Sequence, residues 1–137
     1  MLDNKEKNLV SVETEIKFVK HYVQLLKARF EKGIEVNFRA DENALQRAIV
    51  PVTLQILIEN AIKHNVTQKD SPLIISIYND ADFLVVQNNL QKKTVIDNSN
   101  GQGLENLKNL YHYLAEKEVA IEENESVFLV KIPLLEL

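Results

Sequence analysis

Four polar side chains in the stretch from Pro51 to Asn65, which reads PVTLQILIENAIKHN, are of types that could hold a metal ion and a nucleotide together. They are Glu59, Asn60, Lys63 and His64. At about 100° per residue, a helix would place them on one side, in pairs one turn apart. Carboxylate and amide oxygens are ligands that Mg²⁺ accepts, and a lysine can meet a phosphate as a point charge. The spacing indicates a metal–nucleotide site, with an ordinary solvated helix face as the alternative.

A helix over residues 51–65 is needed to position these side chains. Its apolar residues recur at the i, i+3, i+4 and i+7 spacing that is typical of a buried stripe. They are Leu54, Leu57, Ile58, Ala61 and Ile62, and Asn65 is in line with them. Pro51 suits the first helical turn, where its missing N–H removes no hydrogen bond. The sequence therefore predicts a central helix that begins at Pro51.

A second informative stretch, Ser99 to Gly103, directly precedes another amphipathic helix. It contains Gly101 and Gly103, which are two of the three glycines of the chain. Glycines at a helix N-terminus let backbone N–H groups approach a phosphate, and the helix dipole favours the negative charge. The motif is neither a Walker A loop nor a Rossmann fingerprint, so a flexible turn is the alternative.

A long helix with apolar residues on two sides dominates the first part of the chain. One stripe has the three- and four-residue steps of a helix seam. It contains Leu9, Val12, Ile16, Val19, Val23, Leu26 and Phe30, and a second stripe of Phe18, Tyr22 and Leu25 lies beside it. Either both stripes enter one core, or the second meets a partner helix or a preceding segment. Gly33 ends the helix at a position that favours a left-handed residue.

Alternating and apolar runs predict five strands. They cover residues 34–39, 73–78, 83–86, 119–122 and 127–134. Asn79 to Asp82 reads as a tight hairpin turn, so the strands on either side of it must be antiparallel. Residues 87–100 lack apolar periodicity and form a loop long enough to indicate a function. The order of elements predicts an α/β (α+β) two-layer sandwich, with a mixed, mostly antiparallel sheet and helices on one face.

Composition narrows the class of protein. A chain of 137 residues with 45% hydrophobic residues is long enough for one well-buried core. The net charge of −4 and the absence of basic patches interleaved with aromatics argue against nucleic-acid binding. The chain has no cysteine, which excludes disulfides and thiolate metal sites. No apolar run reaches the roughly 18 residues of a membrane span, so we expect a soluble piece.

Three stretches resemble the GHKL ATPase superfamily, and in particular its LytS-like sensor histidine kinases. LQILIENAIKHN is similar to the N box of the superfamily, and NGQGLENLKNLY resembles its second glycine box and the helix after it. VETEIKFVKHYVQLLKARF resembles the segment between the phosphoacceptor helix and the ATPase domain, which ends in an Arg-Phe pair. The resemblance spans nearly the whole chain. It implies a Bergerat-type ATP-binding fold, with residues 1–32 as a helical linker and 33–137 as the ATP-binding domain.

The resemblance also implies roles for single residues. Asn60 corresponds to the Mg²⁺ ligand, and Glu59 would polarise the reacting group or order water at the metal. Lys63 and His64 would contact phosphate or ribose. Backbone amides at the phosphates are implied for Gly101, Gly103 and Leu104, and the segment from Leu90 to Asn100 corresponds to a mobile lid.

The adenine-binding segment departs from the family pattern. The usual Asp-Asn-Gly is here Asn88-Asn89-Leu90. Asn88 stands where the family has the aspartate that accepts a hydrogen bond from the adenine amino group, and its amide oxygen can accept that bond without a charge. The lost glycine restricts the backbone. We therefore expect weaker nucleotide binding than in the family.

The resemblance implies an ATP-binding catalytic domain that uses Mg²⁺ and transfers the γ-phosphoryl group of ATP to a histidine on a separate helical segment. His21, His64 and His112 lack the phosphoacceptor sequence context, so the acceptor is expected elsewhere in a membrane-anchored, homodimeric parent kinase. A response regulator would then take the phosphate. Two alternatives stay open: a regulatory module with a degenerate pocket, and a hydrolytic ATPase of the chaperone or mismatch-repair type.

Overall fold

The computed structural model describes residues 9–93 and 102–136. In chain order, its elements are β1 (Val10–Ser11), α1 (Val12–Phe30), β2 (Ile34–Arg39), α2 (Glu42–Leu45), β3 (Ala48–Ile49), α3 (Thr53–His64), β4 (Leu73–Asp80), β5 (Phe83–Asn89), α4 (Gln102–Ala115), β6 (Ala120–Glu123) and β7 (Val127–Pro133). No helix in these two ranges is long and apolar enough to cross a membrane.

A five-stranded sheet in the order β2-β4-β5-β7-β6 forms one layer. β2 pairs with β4 in parallel, and the other three neighbouring pairs are antiparallel. Side chains alternate along each strand, so that Leu73, Ile75 and Ile77 of β4 are fully buried. The helices pack on this side of the sheet. The predicted two-layer sandwich with a mixed, mostly antiparallel sheet is confirmed.

The helix α1 contributes one of its two apolar stripes to the core. Val12, Ile16, Val19 and Val23 are buried in the same cluster as the sheet and α3. On the second stripe, Phe18 is 59% exposed and Leu25 is 72% exposed, and Tyr22 is half-buried. The interpretation in which both stripes enter one core is therefore wrong.

Gly33 follows α1, but the residue with a positive φ at this helix end is Glu31, with φ 54°. Gly33 lies instead in a short 3₁₀ turn, Glu31–Gly33, and is buried. A Cβ atom built on Gly33 would lie 2.9 Å from the backbone oxygen of Thr67. Close approach of two backbones, rather than a positive φ, is the reason for a glycine here.

Replacing Gly33 with alanine is expected to lower the free energy of unfolding by about 1–3 kcal/mol, the usual cost of overpacking. The added methyl group would meet backbone atoms, which cannot rotate away as a side chain could. Urea unfolding measures the change. Lys32→Ala, at an exposed position next to it, is the control. An unchanged midpoint in Gly33→Ala would contradict the prediction, because the backbone at Thr67 would then move away without a loss of stability.

The central helix α3 begins at Thr53, two residues later than predicted. Val52 has the left-handed φ of 74°, which interrupts the helix after Pro51, and it offers no side-chain cap. The cap comes from α1, where the buried Glu15 accepts hydrogen bonds from Val52 N at 3.2 Å and Leu54 N at 3.0 Å. A carboxylate at a helix N-terminus also interacts favourably with the helix dipole.

Glu15 should make the stability of the fold depend on pH. Burial raises the pKa of the Glu15 carboxyl, and this effect outweighs the two backbone hydrogen bonds. Because the folded state then holds the proton more tightly, the contribution of Glu15 is largest below the unfolded pKa and is lost as pH rises through the folded pKa. We expect the unfolding free energy of the wild type to fall relative to that of Glu15→Gln over this range.

Urea unfolding of both proteins at a series of pH values from 4 upward tests this expectation. Glu13→Gln, at an exposed position on the same helix, serves as the control for the loss of one charge. Parallel curves for the wild type and Glu15→Gln would contradict the prediction.

Candidate functional site

The helix α3 presents its four predicted functional side chains to two different cavities. Asn60 and His64 line a pocket of about 250 Å³ between α3, the sheet and α4. Glu59 and Lys63 line a groove of about 290 Å³ on the α1 side of the helix. The sequence predicted that all four would share one surface, and the structure brings them together only as two pairs.

The pocket has a wall made by the ends of three neighbouring strands. Asn88 of β5 is paired with Phe128 of β7, and Phe128 is paired with Glu123 of β6. Their side chains therefore form a row across the sheet, on the side that faces the helices. Leu90 and Leu104 complete the apolar part of the lining. The pocket thus combines apolar surfaces with a few polar groups, as ligand pockets commonly do.

Asn88 is buried at 3% exposure, and its side-chain amide makes a hydrogen bond within the chain. Its Nδ2 donates a hydrogen bond to the backbone oxygen of Asn89 at 2.8 Å. The Oδ1 atom is therefore the acceptor that remains for a ligand in the pocket. This arrangement suits a ligand that offers an N–H donor.

His64 lies at the other side of the pocket in a cationic environment. Burial lowers the pKa of its imidazole, and the charges of Lys63, Lys93 and Lys92 lower the pKa further. A neutral imidazole can both donate and accept a hydrogen bond at neutral pH. The surrounding lysines provide positive charge for an anionic ligand.

The lining of the pocket includes an ion pair that the sequence did not reveal. Lys92 Nζ lies 2.6 Å from Glu123 Oε2, and both residues line the pocket. The sequence predicts Glu123 in the turn between the strands 119–122 and 127–134, and Lys92 in the loop of residues 87–100. No local pattern indicates the pair, because the two residues meet only through the order of the strands.

Residues 90–93 are held in place, although the sequence predicted a loop from residue 87 onward. β5 continues to Asn89, and Leu90 N donates to Ser126 O at 2.9 Å. Gln91 N then donates to Oδ1 of the buried Asn65 at 2.7 Å, which ties this segment to the end of α3. The later part of the predicted lid lies outside the described residues.

Gly103 and Leu104 lie in the first turn of α4, whereas Gly101 lies outside the described residues. A Cβ atom on Gly103 would be 3.6 Å from Ile56 Cγ2, an ordinary contact distance. Packing therefore does not require glycine at this position. Leu104 is half-buried and lines the pocket together with Asn60.

The residues around the pocket fit a metal ion that is held mainly by a molecule bound in the pocket rather than by the protein. The described part of the chain contains no group of three or more His, Cys, Asp or Glu residues that could hold a metal ion alone. Asn60 contributes one amide oxygen at the pocket wall. Mg²⁺ is commonly held by one or two protein oxygens together with phosphates and waters. A single oxygen from Asn60 is compatible with that kind of site.

The chain is similar in sequence to sensor histidine kinases. It is 28% identical to the sensor histidine kinase/phosphatase LytS of Staphylococcus aureus (strain Mu50) over 121 residues, which is 88% of the chain and 19% of that protein. The LytS of strain N315 gives the same figures. The chain thus spans about a fifth of the length of these relatives. No protein-family model matches it.

Solved structures of histidine kinases share the fold. The cytoplasmic segment of histidine kinase QseC superposes with a TM-score of 0.65 at 16% identity, covering 94% of the chain and 78% of that structure. The nucleotide-free catalytic domain of histidine kinase ThkA gives a TM-score of 0.60 at 15% identity, with 94% and 97% coverage. The chain is thus similar in sequence to LytS, and it shares its fold with the catalytic domains of histidine kinases.

Proposed function

We propose that the chain is the Mg²⁺-dependent, ATP-binding catalytic domain of a two-component sensor histidine kinase. The pocket between α3, β5 and α4 carries this proposal, because it joins Asn60, His64, Asn88 and Leu104 around one cavity. These residues come from distant parts of the sequence, and each was assigned to nucleotide binding by the resemblance.

Each part of ATP would have its own contacts in and beside the pocket. Asn88 Oδ1 would accept a hydrogen bond from the adenine amino group, and Phe128 and Leu104 would contact the base. His64 would contact ribose or phosphate. The backbone amides of Gly101, Gly103 and Leu104 would meet the phosphates, and the cation of Lys63 would reach them from the groove on the α1 side of α3.

Asn60 would hold Mg²⁺ beside the phosphates, where the ion would neutralise their charge. Glu59 would act on the reacting group from the other flank of α3. In the transfer, the bond between the γ-phosphorus and the β,γ-bridging oxygen breaks, a bond to an imidazole nitrogen of the acceptor forms, and ADP leaves. Catalysis of this kind depends mainly on positioning and charge neutralisation, so it needs no nucleophilic triad in this domain.

The remaining parts of the proposal concern the parent protein. The phosphoacceptor histidine would lie on a separate helical segment, and a response regulator would receive the phosphate. We further propose a homodimeric, membrane-anchored parent with this domain in the cytoplasm. Residues 1–32 would connect the domain to that segment, and residues 33–137 would bind ATP.

Calorimetric titration with ADP and a non-hydrolysable ATP analogue, with and without Mg²⁺, tests the nucleotide site. We expect binding that is stronger with Mg²⁺. Asn88→Leu should weaken ADP binding by about tenfold, because one buried hydrogen bond is lost. Asn37→Leu, on a strand residue that does not line the pocket, is the control.

A second candidate is a regulatory module that has the fold but binds no nucleotide. The exposed Phe18 and Leu25 of α1, which could contact another protein, favour it. The same titration distinguishes the two. No binding at millimolar nucleotide would contradict the kinase proposal and support the module.

A further inference from the structure

We propose that Tyr22 of α1 is a positioning residue for Glu59, and that it keeps this carboxylate from pairing with Lys63. The inference rests on the proposed function, in which Glu59 acts on the reacting group and Lys63 contacts phosphate. It assigns to the first helix a direct part in arranging the catalytic side of α3.

Two hydrogen bonds hold the same oxygen of Glu59. Tyr22 Oη donates to Glu59 Oε2 at 3.1 Å, and Gln55 Nε2 donates to the same atom at 3.2 Å. Gln55 lies one turn earlier on α3, whereas Tyr22 reaches Glu59 from α1. Holding an exposed glutamate in one rotamer costs side-chain entropy, which its hydrogen bonds must offset. The contact with Tyr22 therefore adds a restraint from a second helix to the one that Gln55 provides within α3.

The alternative partner of Glu59 is on its own helix. A glutamate four residues before a lysine is the favoured orientation for an ion pair on a helix surface. Glu59 and Lys63 have this spacing and line the same groove. The salt bridges between described residues nevertheless do not include this pair. Tyr22 and Gln55 donate hydrogen bonds to Glu59 instead, and the Lys63 ammonium therefore stays available to a phosphate.

The charges that line the groove are a further reason for a restraint on the Glu59 carboxylate. Arg29, Lys63 and Lys93 contribute three cations to its lining, and Glu59 is the one acidic residue among its described lining residues. Without a neutral hydrogen-bond donor, the carboxylate would be drawn toward these cations. Burial and the negative charge of Glu59 raise the pKa of Tyr22 to about 12. The tyrosine thus remains a neutral donor at physiological pH.

Phosphoryl transfer by the full-length parent kinase tests the inference in a double-mutant cycle of Tyr22→Phe and Glu59→Gln. Tyr22→Phe keeps the ring and removes only the hydroxyl. We expect it to slow transfer about tenfold, which is less than the roughly 100-fold that a fully misplaced reacting group can cost. The dissociation constant for ADP should change less than the transfer rate does, since Asn60, His64 and Asn88 line the other cavity and only the contact of Lys63 with phosphate is affected.

The cycle separates positioning from a general structural effect. If Tyr22 acts through Glu59, adding Tyr22→Phe to Glu59→Gln should slow transfer no further, because a glutamine cannot form the ion pair with Lys63. Tyr78→Phe is the control, since it removes a similar hydrogen bond, to Gln87, on the sheet.

Two results would overturn the inference: a transfer rate in Tyr22→Phe within twofold of the wild type, or an equal loss on the Glu59→Gln background. A wild-type parent that binds ADP but transfers no phosphate would instead contradict the proposed function, and this inference with it.

Discussion

Replacing Asn60 with alanine or aspartate is expected to abolish Mg–ATP-dependent phosphorylation in the full-length kinase. Alanine removes the amide oxygen that Asn60 would give to Mg²⁺, and aspartate would add a negative charge beside the bound phosphates. Losing a group that stabilises developing charge commonly costs about 100-fold or more in rate. Transfer from γ-labelled ATP, measured at saturating nucleotide, reports this loss.

The isolated domain should stay folded in both variants. Asn60 is half-buried, and its neighbours Leu57 and Ala61 supply the buried contacts of this turn. Thermal unfolding of the variant chains checks this point. Asn43→Ala, in the exposed part of α2, is the control for replacing an asparagine in a helix. Phosphorylation at the wild-type rate in Asn60→Ala would refute the assignment of Asn60.

The sequence was sufficient to predict the central helix and one wall of the pocket. The apolar stripe of α3 predicted its buried face, including Leu54 and Ile58, because a helix of period 3.6 has one way to bury them. The same helical period predicted that Asn60 and His64 lie one turn apart on the same side of α3. The roles of these residues in binding nucleotide stay predictions.

The opposite wall of the pocket depends on information that no local pattern contains. Asn88, Phe128 and Glu123 become neighbours only because β7 lies between β5 and β6. Strand order is a property of the whole chain, and periodicity within each strand is compatible with several orders. The ion pair between Lys92 and Glu123 could not be predicted for the same reason.

The start of α3 shows a second limit of local patterns. Pro51 is a good first-turn residue, yet the helix begins at Thr53 because Val52 adopts a left-handed conformation. Glu15, 37 residues earlier in the chain, then caps the helix through Val52 N. A tertiary contact overrides the local preference here. The separation of Glu59 from Asn60 has a similar origin, because α1 covers one flank of α3 and the sheet approaches the other.

Replacing Tyr111 with alanine is expected to lower the free energy of unfolding by about 3–5 kcal/mol, the usual cost of removing a buried aromatic ring. Tyr111 of α4 is fully buried, and its hydroxyl joins α4 to the residues before α3. Val50 N donates to Tyr111 Oη at 3.0 Å, and the hydroxyl lies 2.9 Å from Thr53 Oγ1. Thr53 in turn donates to Val50 O, which closes a ring of three hydrogen bonds.

Tyr111→Phe removes the hydroxyl and keeps the ring, so it distinguishes their contributions to stability. It leaves the buried Val50 N–H without its acceptor, so we expect a loss of about 1–3 kcal/mol in urea unfolding. Leu110→Ala, at a position of the same helix that is 41% exposed, is the control and should change the stability little. Because Tyr111 links the helix after the glycine motif to the helix that carries Asn60, Tyr111→Phe should also weaken ADP binding in calorimetry. An unfolding curve equal to that of the wild type would show that water replaces the hydroxyl and that α4 does not depend on this bond.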